Sequence, residues 1–244
     1  MQTTIPAIEV RGLTKRYRDV RAVDELSFEV PAGAVTGFLG PNGAGKTTTL
    51  RMLLGLAAPT AGTALIDGRR YHDLAEPWHR VGAVLEATGF YPGRRARDHL
   101  RTLATAARLP VSRVDEVLET VGLTAAAGKR VKGFSLGMRQ RLGLAAALLG
   151  DPGVLILDEP TNGLDPEGVR WLRRMLRGFA DGGGTVLMSS HLLAEVAQVA
   201  DHVVIVADGR LVSQSSLAEL AGHSDEFNLE ELFLDLTTPQ GDLT

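Results

Sequence analysis

Residues Gly40-Pro41-Asn42-Gly43-Ala44-Gly45-Lys46-Thr47-Thr48 fit the spacing G-x-x-x-x-G-K-[ST]. Each position has a chemical reason. Glycines let the backbone curl until successive N–H groups converge on a phosphate, and a helix starting there adds its positive end. Lys46 can reach the terminal phosphates of a nucleotide, and the Thr47 hydroxyl is placed to ligate Mg2+. A second set follows further along the chain. Val154-Leu155-Ile156-Leu157 is an unbroken aliphatic run, fit for a strand buried on both faces, and it ends in Asp158-Glu159-Pro160. Acids at the C-terminal end of such a strand face the crevice where α/β folds bind ligands. Asp158 can hold Mg2+, and Glu159 can polarise an attacking water. Two adjacent acids repel without a cation, so a bound metal suits them.

Other residues carry weaker signals. His191 follows Ser189-Ser190 at the end of another buried run, 185–188. A lone histidine is usually structural, but one at this strand end is suited to touch phosphate. In Phe134-Ser135-Leu136-Gly137-Met138-Arg139-Gln140-Arg141, Ser135 and Gly137 read as a helix start with exposed amides. Lys129, Arg130 and Lys132 precede it. Such a cluster is usually just solvated, but at that helix end it also favours an anion. Tyr17, in Thr14-Lys15-Arg16-Tyr17, either packs at the surface or stacks on a purine face. Phe90 and Tyr91, in a loop bounded by Gly89, Pro92 and Gly93, either fold onto their own core or dock a partner.

These residues need a scaffold of alternating strands and helices. The runs at 8–10 and 26–30 alternate like strands, with 14–17 between them. The run at 34–39 reads as a strand feeding the glycine loop, and 47–56 as the helix leaving it. Residues 58–62 form a turn, 64–67 and 81–85 further strands. From 95 to 149 apolar residues recur at helical spacing, with no strand-like run, so this stretch is a helical insert. Asp165, in the tight turn Asn162-Gly163-Leu164-Asp165-Pro166, can cap a helix over 167–180. A helix at 194–200, a strand at 203–206, a hairpin turn at Asp208-Gly209 and a strand at 210–212 follow. Leu229, Leu232, Phe233 and Leu236 have the spacing of a packing helix. The expected fold class is α/β, one domain over 1–244. Its core is formed by 1–94 and 150–244, with an antiparallel β part at the N-terminus, and its helical part by 95–149.

Composition narrows the function classes. The chain has 244 residues, a net charge of −3, 44% hydrophobic and 23% charged residues, and no cysteine. Disulfides, thiolate metal sites and cysteine nucleophiles are excluded. No global basic field points to nucleic acid. No apolar run reaches the roughly 18–20 residues of a membrane span, and the start lacks the pattern of a signal peptide. The expectation is a cytosolic protein that meets a membrane only through a partner.

Taken together, the motifs resemble those of the ATP-binding subunit of an ABC transporter. Gly40, Pro41, Asn42, Gly43, Ala44, Gly45, Lys46, Thr47 and Thr48 match its Walker A motif. The 154–159 run matches Walker B, with Glu159 as the catalytic glutamate. Ser135 and Gly137 sit in the signature motif, 162–165 in the D-loop, His191 at the switch histidine and Tyr17 at the adenine-stacking aromatic. The resemblance implies a P-loop ATPase that binds ATP with Mg2+ held at Thr47, Asp158 and Glu86. It implies a head-to-tail homodimer or heterodimer whose signature residues complete the partner's site. It also implies a separate membrane permease docking near Glu86, Phe90 and Tyr91, at the cytoplasmic face of the membrane. Two departures stand out. The signature has Leu136 and Met138 where glycine and glutamine are usual, and Glu86 stands where the family has a glutamine. Members with these variants resemble antibiotic-export and lantibiotic self-protection transporters, so export of an antibiotic or peptide is expected. A non-transport member, such as a metal-cluster assembly subunit, and an importer ATPase are the alternatives.

Overall fold

The computed structural model describes residues 6–85 and 89–221. Glu86, expected at the metal and the docking surface, lies outside the described residues, as do Leu229, Leu232, Phe233 and Leu236. The chain begins with β1 (Ile8–Tyr17), β2 (Val20–Val30) and β3 (Val35–Leu39), then α1 (Lys46–Leu53), β4 (Ala61–Ile66) and β5 (Val81–Val84). Three helices follow, α2 (Ala96–Ala106), α3 (Ser112–Thr120) and α4 (Leu136–Leu148). Strands then return: β6 (Val154–Leu157), α5 (Pro166–Asp181), β7 (Thr185–Ser190), the single turn α6 (Leu193–Val196), β8 (His202–Ala207), β9 (Arg210–Ser216) and α7 (Leu217–Ala221).

Alternation along the central strands decides the layers. Six strands pair in the order β5-β6-β7-β3-β8-β9, parallel except for the β8–β9 hairpin. On one face Leu39, Leu155, Leu157, Val186, Met188 and Ile205 join a core with α2–α5. On the other Phe38, Ile156, Leu187 and Val204 meet α1 and a three-stranded antiparallel sheet, β2-β1-β4. Successive side chains on a strand point to opposite faces, so a strand covered on both sides reads as one apolar run. This explains why β3, β6 and β7 are visible in the sequence.

The antiparallel sheet was harder to read. Residues 14–17 belong to β1 and are not a connection. Register shifts after Val10, Leu13 and Lys15 break its alternation, so only its first residues look like a strand. β4 likewise starts at Ala61, inside the expected turn. Residues 95–149 hold α2, α3 and α4 and, among the described residues, no strand. α4 has no polar face along most of its length. Leu142, Gly143, Leu144, Ala145 and Ala147 are all buried, so a rigid, core-embedded helix projects its N-terminus at Ser135 toward solvent.

Candidate active site

β3 delivers the glycine loop to the edge of the parallel sheet, and α1 carries it away. α1 has Gly45 as its N-cap, with no side-chain cap and no acid in its first turn. Its first amides have no partner within the helix. An uncapped helix start with Lys46 in its first turn is suited to an anion. Gly45 adopts φ 91°, and a Cβ there would run into the Ala22 carbonyl of β2. A Cβ on Gly40 would meet the Val206 carbonyl of β8. The loop is thus pressed between both sheets, which is why glycine is required at these two positions. Ala22, Pro41–Thr48 and Glu159 line a cavity of about 220 Å³.

Lys46 is buried, and its Nζ donates to Gly40 O at 2.6 Å and Pro41 O at 3.2 Å. The same ammonium stands 3.5 Å from Glu159 Oε1. Thr47 Oγ1 donates to Asp158 Oδ2 at 2.6 Å, across the gap between α1 and β6. Because that proton is used on Asp158, the lone pairs of Thr47 Oγ1 remain to ligate a cation. The donor set is two hard oxygens, Thr47 Oγ1 and Asp158 Oδ2. Among the described residues no three His, Cys, Asp or Glu groups converge into an all-protein cage. Mg2+ is typically held by one or two carboxylates plus phosphate oxygens, so the residues present fit it.

Glu159 turns the corner after β6 in a left-handed conformation, φ 46°. This points its carboxylate back over the loop. Its Oε2 lies 2.8 Å from His191 Nδ1, which reaches it from the end of β7. Glu159, Lys46 and His191 are therefore one contiguous group, while Asp158 and Thr47 are directly bonded beside it.

Other candidates fall elsewhere. Tyr17 is 49% exposed at the end of β1, with Lys15 Nζ 4.9 Å above its ring, and it does not line the loop cavity. Ser135 caps α4, accepting from the Met138 amide at 3.2 Å. Ser135 and Gly137 line a different cavity, about 520 Å³, together with Gly163, Leu164 and Asp165. Leu136 packs its side chain directly onto Gly163, and Gly137 faces Leu164. The leucine in place of the usual glycine therefore joins the start of α4 to the 162–165 turn of the same chain. Asp165 accepts from the Gly168 amide at 2.7 Å and caps α5, with Pro166 in its first turn. The two aromatics at 90 and 91 part ways. Phe90 folds onto the core and meets His99 edge-on at 5.0 Å, whereas Tyr91 is 68% exposed. Burial, aided by Arg94, holds the His99 imidazole below its ordinary pKa, so this contact keeps the character of an apolar one.

Two participants escaped the sequence reading. Ala22 lines the cavity through a fold-back of β2 that no local pattern announces. Ser189, fully buried, donates to Asp158 Oδ1 at 2.5 Å and accepts from the Glu159 amide at 2.9 Å. A usable signal existed, because two serines close an otherwise apolar buried strand.

Comparison with known proteins shows the family. Residues 23–162 match the family described as ABC transporter. The chain is 46% identical over 212 residues to the bacitracin transport ATP-binding protein BcrA of Bacillus licheniformis, covering 85% of this chain and 69% of that protein. It is 36% identical over 228 residues to the lantibiotic transport ATP-binding protein SrtF of Streptococcus pyogenes, covering 93% and 95%. A solved structure of the ATP binding subunit of an ABC transporter superposes with a TM-score of 0.84 at 28% identity, covering 94% of this chain and 99% of that one. The chain belongs to the ABC transporter family, as an ATP-binding subunit.

Proposed function

We propose that this chain hydrolyses Mg-ATP in a head-to-tail dimer to drive export of an antibiotic or peptide through a separate membrane subunit. The observation that carries the reading is the cluster of Lys46, Glu159 and His191 beside the Thr47–Asp158 pair at an uncapped helix start. The α1 amides and Lys46 bind the phosphates. Lys46 exchanges its contacts to Gly40 O and Pro41 O for phosphate oxygens, which it neutralises as charge develops. Thr47 and Asp158 would hold Mg2+, which supplies charge neutralisation on the phosphates. Glu159 orients a water and accepts its proton. His191, tethered to Glu159 through Nδ1, presents its other ring edge to the γ-phosphate.

Ser135 and Gly137 serve a second subunit. They share no cavity with the loop of their own chain, and a helix start with a free face is what a half-enclosed γ-phosphate needs. Among the described residues no helix is long and apolar enough to cross a membrane, and the path across one is assigned to the separate membrane subunit. Tyr91, exposed after β5, is the residue offered to that subunit. Backbone hydrogen bonds zip the segment beyond it to the segment leading into Ser135. Lys132 N donates to Pro92 O at 2.9 Å, Val131 N to Arg94 O at 3.0 Å and Ala96 N to Lys129 O at 3.2 Å. These bonds are the route by which docking at Tyr91 would reach the start of α4. The cargo class comes from the names of the relatives, which transport bacitracin and a lantibiotic.

Glu159→Gln tests the reading. Phosphate release should fall by about a hundredfold or more, the usual worth of a general base, while binding of a fluorescent ATP analogue stays within a few-fold. Undiminished turnover removes Glu159 from this role. Co-purification with candidate membrane subunits, scored by stimulation of ATPase activity, tests the partner.

A further inference from the structure

The β6–β7 ladder ends at Leu157↔Met188. One residue further on, a side chain takes over from the backbone. Ser189 is 0% exposed, and a buried hydroxyl has one proton and two lone pairs to place. The proton goes to Asp158 Oδ1 at 2.5 Å, and a lone pair accepts the Glu159 N–H at 2.9 Å. Asp158 Oδ2 accepts from Thr47 Oγ1 at 2.6 Å, so the carboxylate is held from both sides and cannot swing. Glu159 needs holding too. Its φ of 46° is a region that costs any residue with a Cβ, and such a turn persists only where surrounding bonds over-determine it.

We infer that Ser189 is a positioning residue for hydrolysis. Through one hydroxyl it sets both the carboxylate that faces the cation and the carboxylate that faces the water. The hydroxyl is fully buried, and its hydrogen bonds go to Asp158 and Glu159. The inference rests on the ATPase reading above and adds to it a residue that acts only through Asp158 and Glu159. Packing and hydrogen bonding can be separated here, because Thr and Val have the same shape and differ only in the hydroxyl. β7 is a strand, where both branched residues are accommodated.

The experiment compares Ser189→Thr with Ser189→Val, and Ser189→Ala covers the case in which the valine chain does not fold. The expected result is that Thr keeps kcat within about threefold of wild type, while Val and Ala lose about tenfold or more, the scale of a hydrogen bond to a charged group. KM for ATP should move less than kcat. A second readout needs no turnover. ADP affinity measured in EDTA should be equal in all variants, and the gain in affinity on adding Mg2+ should shrink in Val and Ala but not in Thr. Val matching Thr in both kcat and the Mg2+ gain overturns the inference, and so does wild-type behaviour of Ala where Val is unfolded. A wild-type chain that hydrolyses no ATP sinks the ATPase reading and this one with it, whereas an active chain with Val equal to Thr sinks this one alone.

Discussion

Two backbone angles organise the site at the scale of residues. Gly45 at φ 91° lets the phosphate loop pass under the Ala22 carbonyl, and Glu159 at φ 46° turns its carboxylate toward that loop. The first is free for glycine. The second is strained, and its amide is secured by Ser189. Gly45→Ala should therefore fail twice, through its φ and through the collision with β2. We expect a loss of about 1–3 kcal/mol in stability, read as a lower Tm, together with loss of ATP-analogue binding. A variant that melts and binds like wild type shows that the loop does not need this close approach. Nothing comparable marks Lys46, whose proposed role rests on its spacing in the motif. Ser189 was not legible in the same way, because its two partners lie just past the end of another strand, β6, and only the β6–β7 pairing brings them near.

Between elements, Asp201 is a clasp. Its carboxylate accepts from the Val35 amide at the start of β3 at 2.9 Å and from Arg177 Nη1 of α5 at 2.8 Å, just ahead of β8. Burial alone would raise this carboxyl. The hydrogen bonds from Arg177 and Val35 outweigh it and hold it below the ordinary carboxylate value. A lowered folded-state pKa stabilises the fold above the unfolded value of about 3.9, and that stability is lost as pH falls through the folded value. Asp201→Asn should lower Tm at pH 7 by about 2–4 °C, equivalent to about 1 kcal/mol after discounting for partial exposure. Part of the Tm drop between pH 5 and pH 3 should vanish with it. An unchanged acid limb would mean that Asp201 is not titrating there. Helix and strand types were readable wherever the apolar period was clean, as in α5 and β6. The extent of a strand was missed where register shifts interrupt it, as in β1, of which only residues 8–10 were read.

For the whole molecule, the decisive fact is that the start of α1 and the start of α4 line separate cavities. A single chain cannot bring its own Ser135 to its own Lys46 without tearing α4 out of the core that buries it. Completion by a second copy is the economical solution. With hydrolysis blocked by Glu159→Gln, ATP should double the mass seen by light scattering. Adding Ser135→Arg should abolish that doubling while ATP-analogue binding persists. A Ser135→Arg chain that still doubles would show that α4 does not contribute to the interface.

What the sequence by itself determined is the chemistry that is local in the chain. Residues 40–48 carry the glycines, the lysine and the threonine of a phosphate loop, and the acids after 154–157 are the pair proposed for a cation and a water, because such functions need neighbouring residues on one turn. Only the tertiary structure decided which groups from distant segments share a bond. It turned Phe90 inward and Tyr91 outward, set Leu136 upon Gly163 and slid Ser189 beneath both acids. The physical reason is that hydrophobic periodicity records which face of an element is buried. It does not record which strand lies alongside, and side-chain hydrogen bonds are made only after that neighbour is chosen.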